Sequence, residues 1–243
     1  MGENEIYVIK DKYIIKKSHN DILKAEKIFI DYNKHIKTQK IVDYDEKRNY
    51  TVYKYIKGNI IHNLSDVDNC LEYIYKLICM YKEVNIRGYG DIFNLQEKWT
   101  DFLKSEIDRQ SKYINNDVLK KKVMKKVNIL DKYSFKKKLI HGDLGGFNII
   151  YRKHKIKGII DPRCIVGDPI YDFIYFILSD FNISKQIELE KIFNILKNEA
   201  EEKIFAMLYI LLYDRIAREQ KNNTKRKNEF YSIWQKIEKI DPH

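Results

Sequence analysis

The sequence predicts an α+β fold in two parts, a small antiparallel sheet with one helix followed by a larger, mainly helical part. Two observations support this prediction. Residues 1–57 alternate short β-branched and aromatic runs with turn-forming residues, whereas residues 58–243 carry apolar residues at helical spacing over long segments. No low-complexity linker separates the two parts, so we expect them to pack as one unit.

The pattern of residues 1–57 predicts a sheet with one helix packed across it. Ile6–Ile9 and Tyr13–Lys17 are strand-like runs on either side of a charged, turn-like segment, which indicates a hairpin. A segment with helical spacing follows, and either Asn20 or Asp21 is a candidate N-cap for it. Two more strand-like segments complete the sheet, residues 40–43 and 50–56.

The second part is predicted to be mainly helical. Its helical spacing is found in five segments, residues 70–84, 99–112, 117–130, 188–216 and 229–240. Short strand-like runs at residues 147–151 and 157–160 lie among glycine-rich turns between the third and fourth of these segments. The mainly helical lobe therefore contains one irregular insertion.

The bulk composition argues against two classes of partner. The net charge is +11, but the lysines are spread along the chain, and the densest clusters, residues 120–122 and 136–138, have no interleaved aromatic residues. The longest apolar run, residues 204–213, is too short to span a bilayer, and the N-terminus has no basic, apolar leader. We expect a cytoplasmic protein without a membrane or nucleic-acid partner.

One segment concentrates the backbone signals of a site. Residues 141–173 hold five of the 9 glycines and two of the 3 prolines, which mark special backbone angles or close approach to a ligand. Asp143, Asn148 and Asp161 each lie at the border of a strand-like run and a turn. Three such oxygen donors suit Mg²⁺ with substrate phosphates, and an aspartate can also accept a proton from a hydroxyl. This combination indicates phosphoryl transfer.

Two motifs in this segment carry a family resemblance. HGDLGGFN at residues 141–148 and IDPRCIVGDPIYD at residues 160–172 resemble the aminoglycoside phosphotransferase and choline kinase family, a branch of the protein-kinase-like fold. RGYGDI at residues 87–92 is similar to the segment before that family's central helices. The resemblance implies a two-lobed kinase with ATP or GTP and Mg²⁺ between a nucleotide-binding lobe, residues 1–57, and a catalytic lobe, residues 58–243.

The resemblance implies a role for each matching residue of the second lobe. Asp143 would be the catalytic base, while Asn148 and Asp161 would hold the Mg²⁺. Capping of turns would explain each of these residues singly, but their joint spacing favours the metal site. Three further residues would support the loops, namely His141, Asp168 and Asp172.

In the first lobe, the resemblance points to a lysine and its partner. Lys16 matches the family's strand lysine that holds the nucleotide phosphates, and Glu26 matches its helix partner. Lys17 is the alternative, because strand alternation turns only one of the two lysines toward the cleft. The connector between the lobes would meet the base through Tyr55 and Ile56. The family's further strand before the nucleotide loop has no counterpart, so this lobe is predicted to be truncated.

The resemblance leaves the acceptor open among an aminoglycoside, a sugar and an amino alcohol. Late helices line the acceptor pocket in this family, which makes Asp214 a candidate substrate contact. The positive net charge does not favour a cationic aminoglycoside, although the late helices are locally acidic.

Two alternatives to a small-molecule kinase share the same residues. One is a nucleotide-binding pseudokinase, against which the intact Asp143, Asn148 and Asp161 argue. The other is a protein kinase-like regulator, which needs an activation segment that the short stretch between Asp161 and Asp168 does not supply. We therefore favour the interpretation that the protein is a cytoplasmic small-molecule kinase.

Overall fold

The structure, a computed structural model, describes residues 5–61, 67–114, 116–153 and 155–242. It confirms the predicted α+β fold, with a small antiparallel sheet and one helix at the start of the chain and helices dominating the rest. The described part of the chain contains no helix that is both long enough and apolar enough to cross a membrane.

The N-terminal sheet is antiparallel with the order β1-β2-β4-β3. Its strands are β1 (Glu5–Ile9), β2 (Tyr13–Lys17), β3 (Ile41–Asp45) and β4 (Tyr50–Lys54). Residues 10–12 join β1 to β2, with positive φ angles of 48° and 51° at Lys10 and Asp11, and the Lys12 N–H donates to the Ile9 carbonyl at 2.9 Å to close the turn. The predicted hairpin is therefore present, and β1 and β3 are the outermost strands of this sheet among the described residues.

One helix, α1 (Asn20–Tyr32), packs against this sheet. The predicted N-cap was wrong, because His19 occupies that position and makes no capping hydrogen bond through its side chain. The side chain of Asn20 instead accepts a hydrogen bond of 3.1 Å from the Tyr44 hydroxyl. This contact ties the start of α1 to β3, so a tertiary partner replaces the local one.

The C-terminal lobe consists mainly of eight described helices: α2 (Val67–Cys79), α3 (Trp99–Ser111), α4 (Asp117–Ile129), α5 (Ile170–Leu178), α6 (Phe181–Gln186), α7 (Leu189–Ile195), α8 (Glu201–Lys221) and α9 (Arg226–Ile240). The segment over residues 188–216 is mainly helical as predicted but is interrupted, since residues 196–200 separate α7 from α8 and Ala200 has an extended backbone. Helix α8 packs against α3, α4, α5 and α9, so its apolar run forms the centre of the lobe.

Two small sheets hold the irregular segment. The first has the order β10-β9-β5 and the second β7-β6-β11-β8. Their strands are β5 (Asn59–Ile60), β6 (Tyr89–Asp91), β7 (Asn94–Gln96), β8 (Lys138–Ile140), β9 (Ile149–Arg152), β10 (Lys155–Ile159) and β11 (Ile165–Gly167). Residues 141–148 connect β8 to β9, and residues 160–164 connect β10 to β11. The two motif segments are therefore anchored by strands at both ends.

The two lobes are linked by hydrogen bonds near the cleft. The Asn33 side chain donates to the Leu139 carbonyl at 3.1 Å and accepts from the Lys82 N–H at 3.1 Å. The Ile159 N–H donates to the Lys37 carbonyl at 2.9 Å. These bonds place the end of α1 directly against the strands that carry the motif segments.

Candidate active site

The cleft between the lobes contains a buried lysine at the end of a strand. Lys16 on β2 is 4% exposed, and its ammonium group forms an ion pair with Glu26 of α1 and a second one, at 3.0 Å, with Asp161. The Tyr53 hydroxyl donates to the other carboxylate oxygen of Glu26. Lys17 points away from the cleft and lies 3.6 Å from Glu5. The alternation of β2 thus brings Lys16, and not Lys17, to Asp161.

The two carboxylates control the charge of this lysine. Burial lowers the pKa of Lys16, but Glu26 and Asp161 more than offset burial and raise the pKa above its ordinary value. Lys16 is therefore a permanently charged ammonium group in the cleft, which is what binding to nucleotide phosphates requires.

An apolar surface lies next to Lys16 on the same face of the sheet. Ile6 is paired with Lys16 across β1 and β2, and Val8 is paired with Ile14, so all four side chains share one face. Ile6 and Val8 are 55% and 54% exposed. The sequence analysis did not identify this surface, although the alternation of side chains along β1 places Ile6 and Val8 on the same face.

The predicted connector residues are half-buried, and one of their backbone groups is already engaged. The Tyr55 N–H donates to the Lys12 carbonyl at 2.9 Å. Ile56 lies against Gly158, where an added Cβ would come 2.6 Å from the Ile56 Cδ1. The connector thus follows the cleft edge between β4 and β10, with the Tyr55 N–H turned toward the hairpin and not toward a ligand.

The predicted base and the predicted metal ligand of the HGDLGGFN motif are joined directly. The Asn148 amide nitrogen donates to the Asp143 carbonyl at 2.8 Å and to the Asp143 Oδ2 at 3.2 Å. The Tyr175 hydroxyl donates to Oδ1 of the same carboxylate. The Asp143 side chain is 30% exposed, so it faces the cleft in a fixed orientation.

The backbone of this loop is held by Asp172 and His141. The Asp172 carboxylate accepts hydrogen bonds from the His141 N–H at 2.7 Å and the Gly142 N–H at 2.8 Å. The His141 Nε2 donates to the Ile160 carbonyl at 2.8 Å, and its Nδ1 accepts from the Asp143 N–H at 3.2 Å. Both groups are buried, which lowers the pKa of His141 and raises the pKa of Asp172 to about 7. A neutral His141 thereby bridges the two motif segments.

Asp161 and Asn148 form a donor set that fits Mg²⁺. Asp161 has a left-handed backbone, with φ of 55°, and its side chain is 40% exposed in the cleft. Because the Asn148 nitrogen donates to Asp143, its amide oxygen is directed away from that residue. Among the described residues, no group of three or more His, Cys, Asp or Glu could hold a metal. A bound Mg²⁺ would therefore take further ligands from water and phosphates.

Asp168 has no hydrogen bond to Asp143, Asn148 or Asp161 among the bonds described, and it connects its own loop to α8. Its Oδ1 accepts a hydrogen bond of 3.0 Å from the Ile170 N–H at the start of α5. Its Oδ2 accepts one of 2.9 Å from Lys203, which also bonds Glu199 at 2.8 Å. Asp168 is 1% exposed, so this arrangement suits support of the loop and not contact with a substrate.

Asp214 lies on the C-lobe side of Asp143 and is connected to it through an arginine. Arg218 Nε donates to Asp214 at 2.7 Å, while its Nη1 lies 4.0 Å from Asp143 Oδ1. Gln110 donates to the other oxygen of Asp214. Two narrow clefts, each with a cavity volume of about 10 Å³, share Asp214 as a lining residue. Sequence reasoning identified Asp214 but missed Arg218.

A second arginine cluster adjoins the same side. Arg163 donates to both oxygens of Asp91, at 2.6 and 2.7 Å, and to both oxygens of Glu106, at 2.8 and 3.1 Å. Burial by itself would raise the pKa of Glu106, but Arg163 and Arg109 more than offset burial and lower the pKa to about 2. No sequence signal beyond the charges themselves indicated that these residues would meet.

The fold and the paired motifs define a phosphotransferase that acts on a hydroxyl acceptor. The profile of the phosphotransferase enzyme family matches residues 4–195, which is most of the chain. The chain belongs to this family. A comparison of the sequence with curated proteins gives no match.

Solved structures with the same fold include three of particular relevance. A thermostable mutant of aminoglycoside phosphotransferase APH(4)-Ia, in a ternary complex with ADP and hygromycin B, is 13% identical with a TM-score of 0.71, covering 100% of this chain and 93% of its own. Choline kinase LicA from Streptococcus pneumoniae is 16% identical, with a TM-score of 0.63 and coverages of 98% and 90%. The GDP complex of aminoglycoside 2'-phosphotransferase-IIIa is 14% identical, with a TM-score of 0.59 and coverages of 98% and 90%.

Proposed function

We propose that the protein is a small-molecule kinase that transfers the γ-phosphate of ATP or GTP, with Mg²⁺, to a hydroxyl of an aminoglycoside, a sugar or an amino alcohol. One observation carries this proposal, the convergence of four residues on one cleft. Lys16 lies 3.0 Å from Asp161, and the Asn148 carbonyl accepts a hydrogen bond of 3.0 Å from the Ile160 N–H, next to Asp161. The side chain of Asn148 in turn holds Asp143.

Each residue of the cleft has a chemical task in this reaction. Asp161 and Asn148 would hold the Mg²⁺, which when bound neutralises charge on the phosphates. Lys16 would contact the phosphates and is kept in position by Glu26. Asp143 would accept the proton of the acceptor hydroxyl as that oxygen bonds to the γ-phosphorus, while the bond from the γ-phosphorus to the bridging oxygen breaks and the nucleoside diphosphate leaves.

The nucleotide base is proposed to lie under the exposed face of β1. Ile6 and Val8 supply an apolar surface beside Lys16, and the connector at Tyr55 and Ile56 borders the same cleft. Solved relatives are complexes with ADP in one case and GDP in another, so both donors deserve a test.

The charges near Asp143 favour a sugar or an amino alcohol over a polycationic aminoglycoside. Arg163 and Arg109 form ion pairs with Asp91 and Glu106, and Arg218 forms one with Asp214, so three arginines face three carboxylates. Carboxylates that already have arginine partners attract a polycation less than free carboxylates do. One solved relative is a complex with hygromycin B, and another is a choline kinase, so both an aminoglycoside and an amino alcohol belong in the test.

The test is calorimetric titration of wild type, Asp161→Ala and Asp31→Ala with ATP and GTP, with and without Mg²⁺. Asp31 is a matched control because its side chain is 62% exposed on the outer face of α1. We expect Mg²⁺-dependent binding to wild type and to Asp31→Ala, and its loss in Asp161→Ala. Absence of binding by wild type to either nucleotide contradicts the proposal.

Turnover separates the enzyme from the alternatives. Wild type is incubated with labelled nucleotide and a panel of aminoglycosides, sugars and amino alcohols. Transfer to one of these acceptors supports the small-molecule kinase. Binding without transfer to any acceptor would indicate a pseudokinase, and transfer to protein alone would indicate a protein kinase-like regulator.

A further inference from the structure

Two residues of helix α5, on successive turns, contact the loop formed by residues 141–148. Asp172 binds the backbone N–H groups of His141 and Gly142, as described above. Tyr175, three residues later and therefore on the same face of the helix, donates its hydroxyl to the side chain of Asp143. One helix thus holds both the backbone of the loop and the carboxylate that the loop carries.

The ring of Tyr175 is fixed by its neighbours. Tyr175 is 5% exposed and is stacked on Tyr171, with ring centres 6.1 Å apart and planes at 18°. The guanidinium group of Arg218 lies 5.6 Å from the Tyr175 ring centre. Because these neighbours restrict the ring, its hydroxyl is aimed at Asp143 before any substrate arrives.

We propose that Tyr175 is a positioning residue for phosphoryl transfer, an inference that rests on the proposed kinase function. Its hydroxyl holds Oδ1 of Asp143 from the C-lobe side, while Asn148 holds Oδ2 from the metal side at 3.2 Å. The carboxylate is thereby fixed in one plane. Each oxygen keeps a further lone pair for the acceptor hydroxyl, and the fixed plane of the carboxylate limits the directions from which that hydroxyl can approach.

The effect acts on the transfer step and not on nucleotide binding. Tyr175 contacts Asp143, whereas the nucleotide groups, Lys16 and Asp161, are held by Glu26 and by each other. A hydrogen bond to a charged group contributes enough that its loss lowers a rate about tenfold to a hundredfold. The expected change therefore falls on kcat and leaves the nucleotide KM unaffected.

The test compares Tyr175→Phe with Tyr133→Phe. Both substitutions remove one phenol oxygen that donates to a carboxylate, since Tyr133 bonds Glu202 at 2.8 Å far from the cleft. Turnover is measured with the acceptor found in the panel, together with nucleotide KM and melting temperature. We expect Tyr175→Phe to lower kcat about tenfold or more, with nucleotide KM unchanged and melting temperature close to that of Tyr133→Phe. Wild-type kcat in Tyr175→Phe overturns the inference.

A second measurement separates positioning from a structural role. Tyr175→Phe is introduced into an Asp143→Asn background, and residual turnover is compared with that of Asp143→Asn alone. If Tyr175 acts through the carboxylate, the added substitution has little further effect. An equal loss in both backgrounds, or a parallel fall in nucleotide affinity, overturns the inference. A wild type that binds no nucleotide overturns the kinase proposal itself, which is a different result.

Discussion

The two sides of the cleft are built differently. On the nucleotide side, Lys16 and Glu26 are only 10 residues apart and meet within one lobe. On the acceptor side, the bonded pairs Gln110–Asp214 and Arg163–Asp91 are 104 and 72 residues apart. The lysine–glutamate pair of the nucleotide side therefore depends on a local arrangement of strand and helix, and only its contact with Asp161, 145 residues from Lys16, joins distant segments. The acceptor side depends throughout on the packing of α3, α5 and α8.

This difference separates shared chemistry from substrate selection. In the proposed reaction Lys16 would contact the phosphates, and Asp161 and Asn148 would hold the Mg²⁺, whichever acceptor is used. The acceptor side instead pairs each carboxylate with an arginine, which sets charge and shape toward one class of acceptor. The predictions that follow test whether the two sides are functionally independent.

The largest effect is expected at the residue that both sides share. Asp143→Asn removes the proton acceptor, and turnover should fall about 10²- to 10⁴-fold. The affinity for the Mg²⁺ nucleotide, measured by calorimetry, should stay within about twofold because Lys16 and Asp161 are untouched. A parallel loss of nucleotide affinity would contradict the separation of the two sides.

The next effect belongs to the nucleotide side alone. Lys16→Met leaves the buried Glu26 without its cationic partner, which should cost about 3 to 5 kcal/mol of unfolding free energy and most of the nucleotide affinity. Lys17→Met is the matched control, since that side chain is 56% exposed. Urea unfolding and calorimetry on both variants check the prediction, and similar losses in the two would refute it.

A pH-dependent effect is expected on the acceptor side. The pKa of Glu106 falls from 4.5 to about 2 on folding, so its contribution to stability is complete above 4.5 and is lost as the pH falls toward 2. Glu106→Gln should therefore lower the unfolding free energy by up to about 3 kcal/mol at pH 7. In urea unfolding, the gap to wild type should be constant from about pH 8 to 5 and narrow below about pH 4. A gap that widens in acid would contradict the ion pairs with Arg163.

The smallest effect concerns the acceptor contact. Asp214→Asn keeps an oxygen for Arg218 but removes a charge from the two clefts, and it should change the acceptor KM about tenfold or less without altering the nucleotide KM. Asp180→Asn is the control, because Asp180 also faces an arginine, Arg226 at 3.9 Å, on another part of the lobe. Equal acceptor KM values for both variants would show that Asp214 does not contact the acceptor.

Much of the fold and part of the candidate site could be predicted from local patterns. Alternation in β2 turned Lys16 and not Lys17 toward the cleft, because successive strand residues face opposite sides. The N-cap of α1 could not be predicted, since the Asn20 side chain accepts a hydrogen bond from Tyr44 of β3, which is distant in sequence. The break between α7 and α8 was missed for a related reason, because helical spacing continues across it.

The amino-acid sequence by itself determined the α+β fold and the two motif segments, because these depend on residue type and short spacing. The tertiary structure alone decided which groups surround Asp143 on the acceptor side. Tyr175 and Arg218 are a tyrosine and an arginine among many in this chain, and only the packing of α5 against α8 brings both to one carboxylate. Hydrogen bonds and ion pairs act over a few ångströms in space, whatever the distance along the chain.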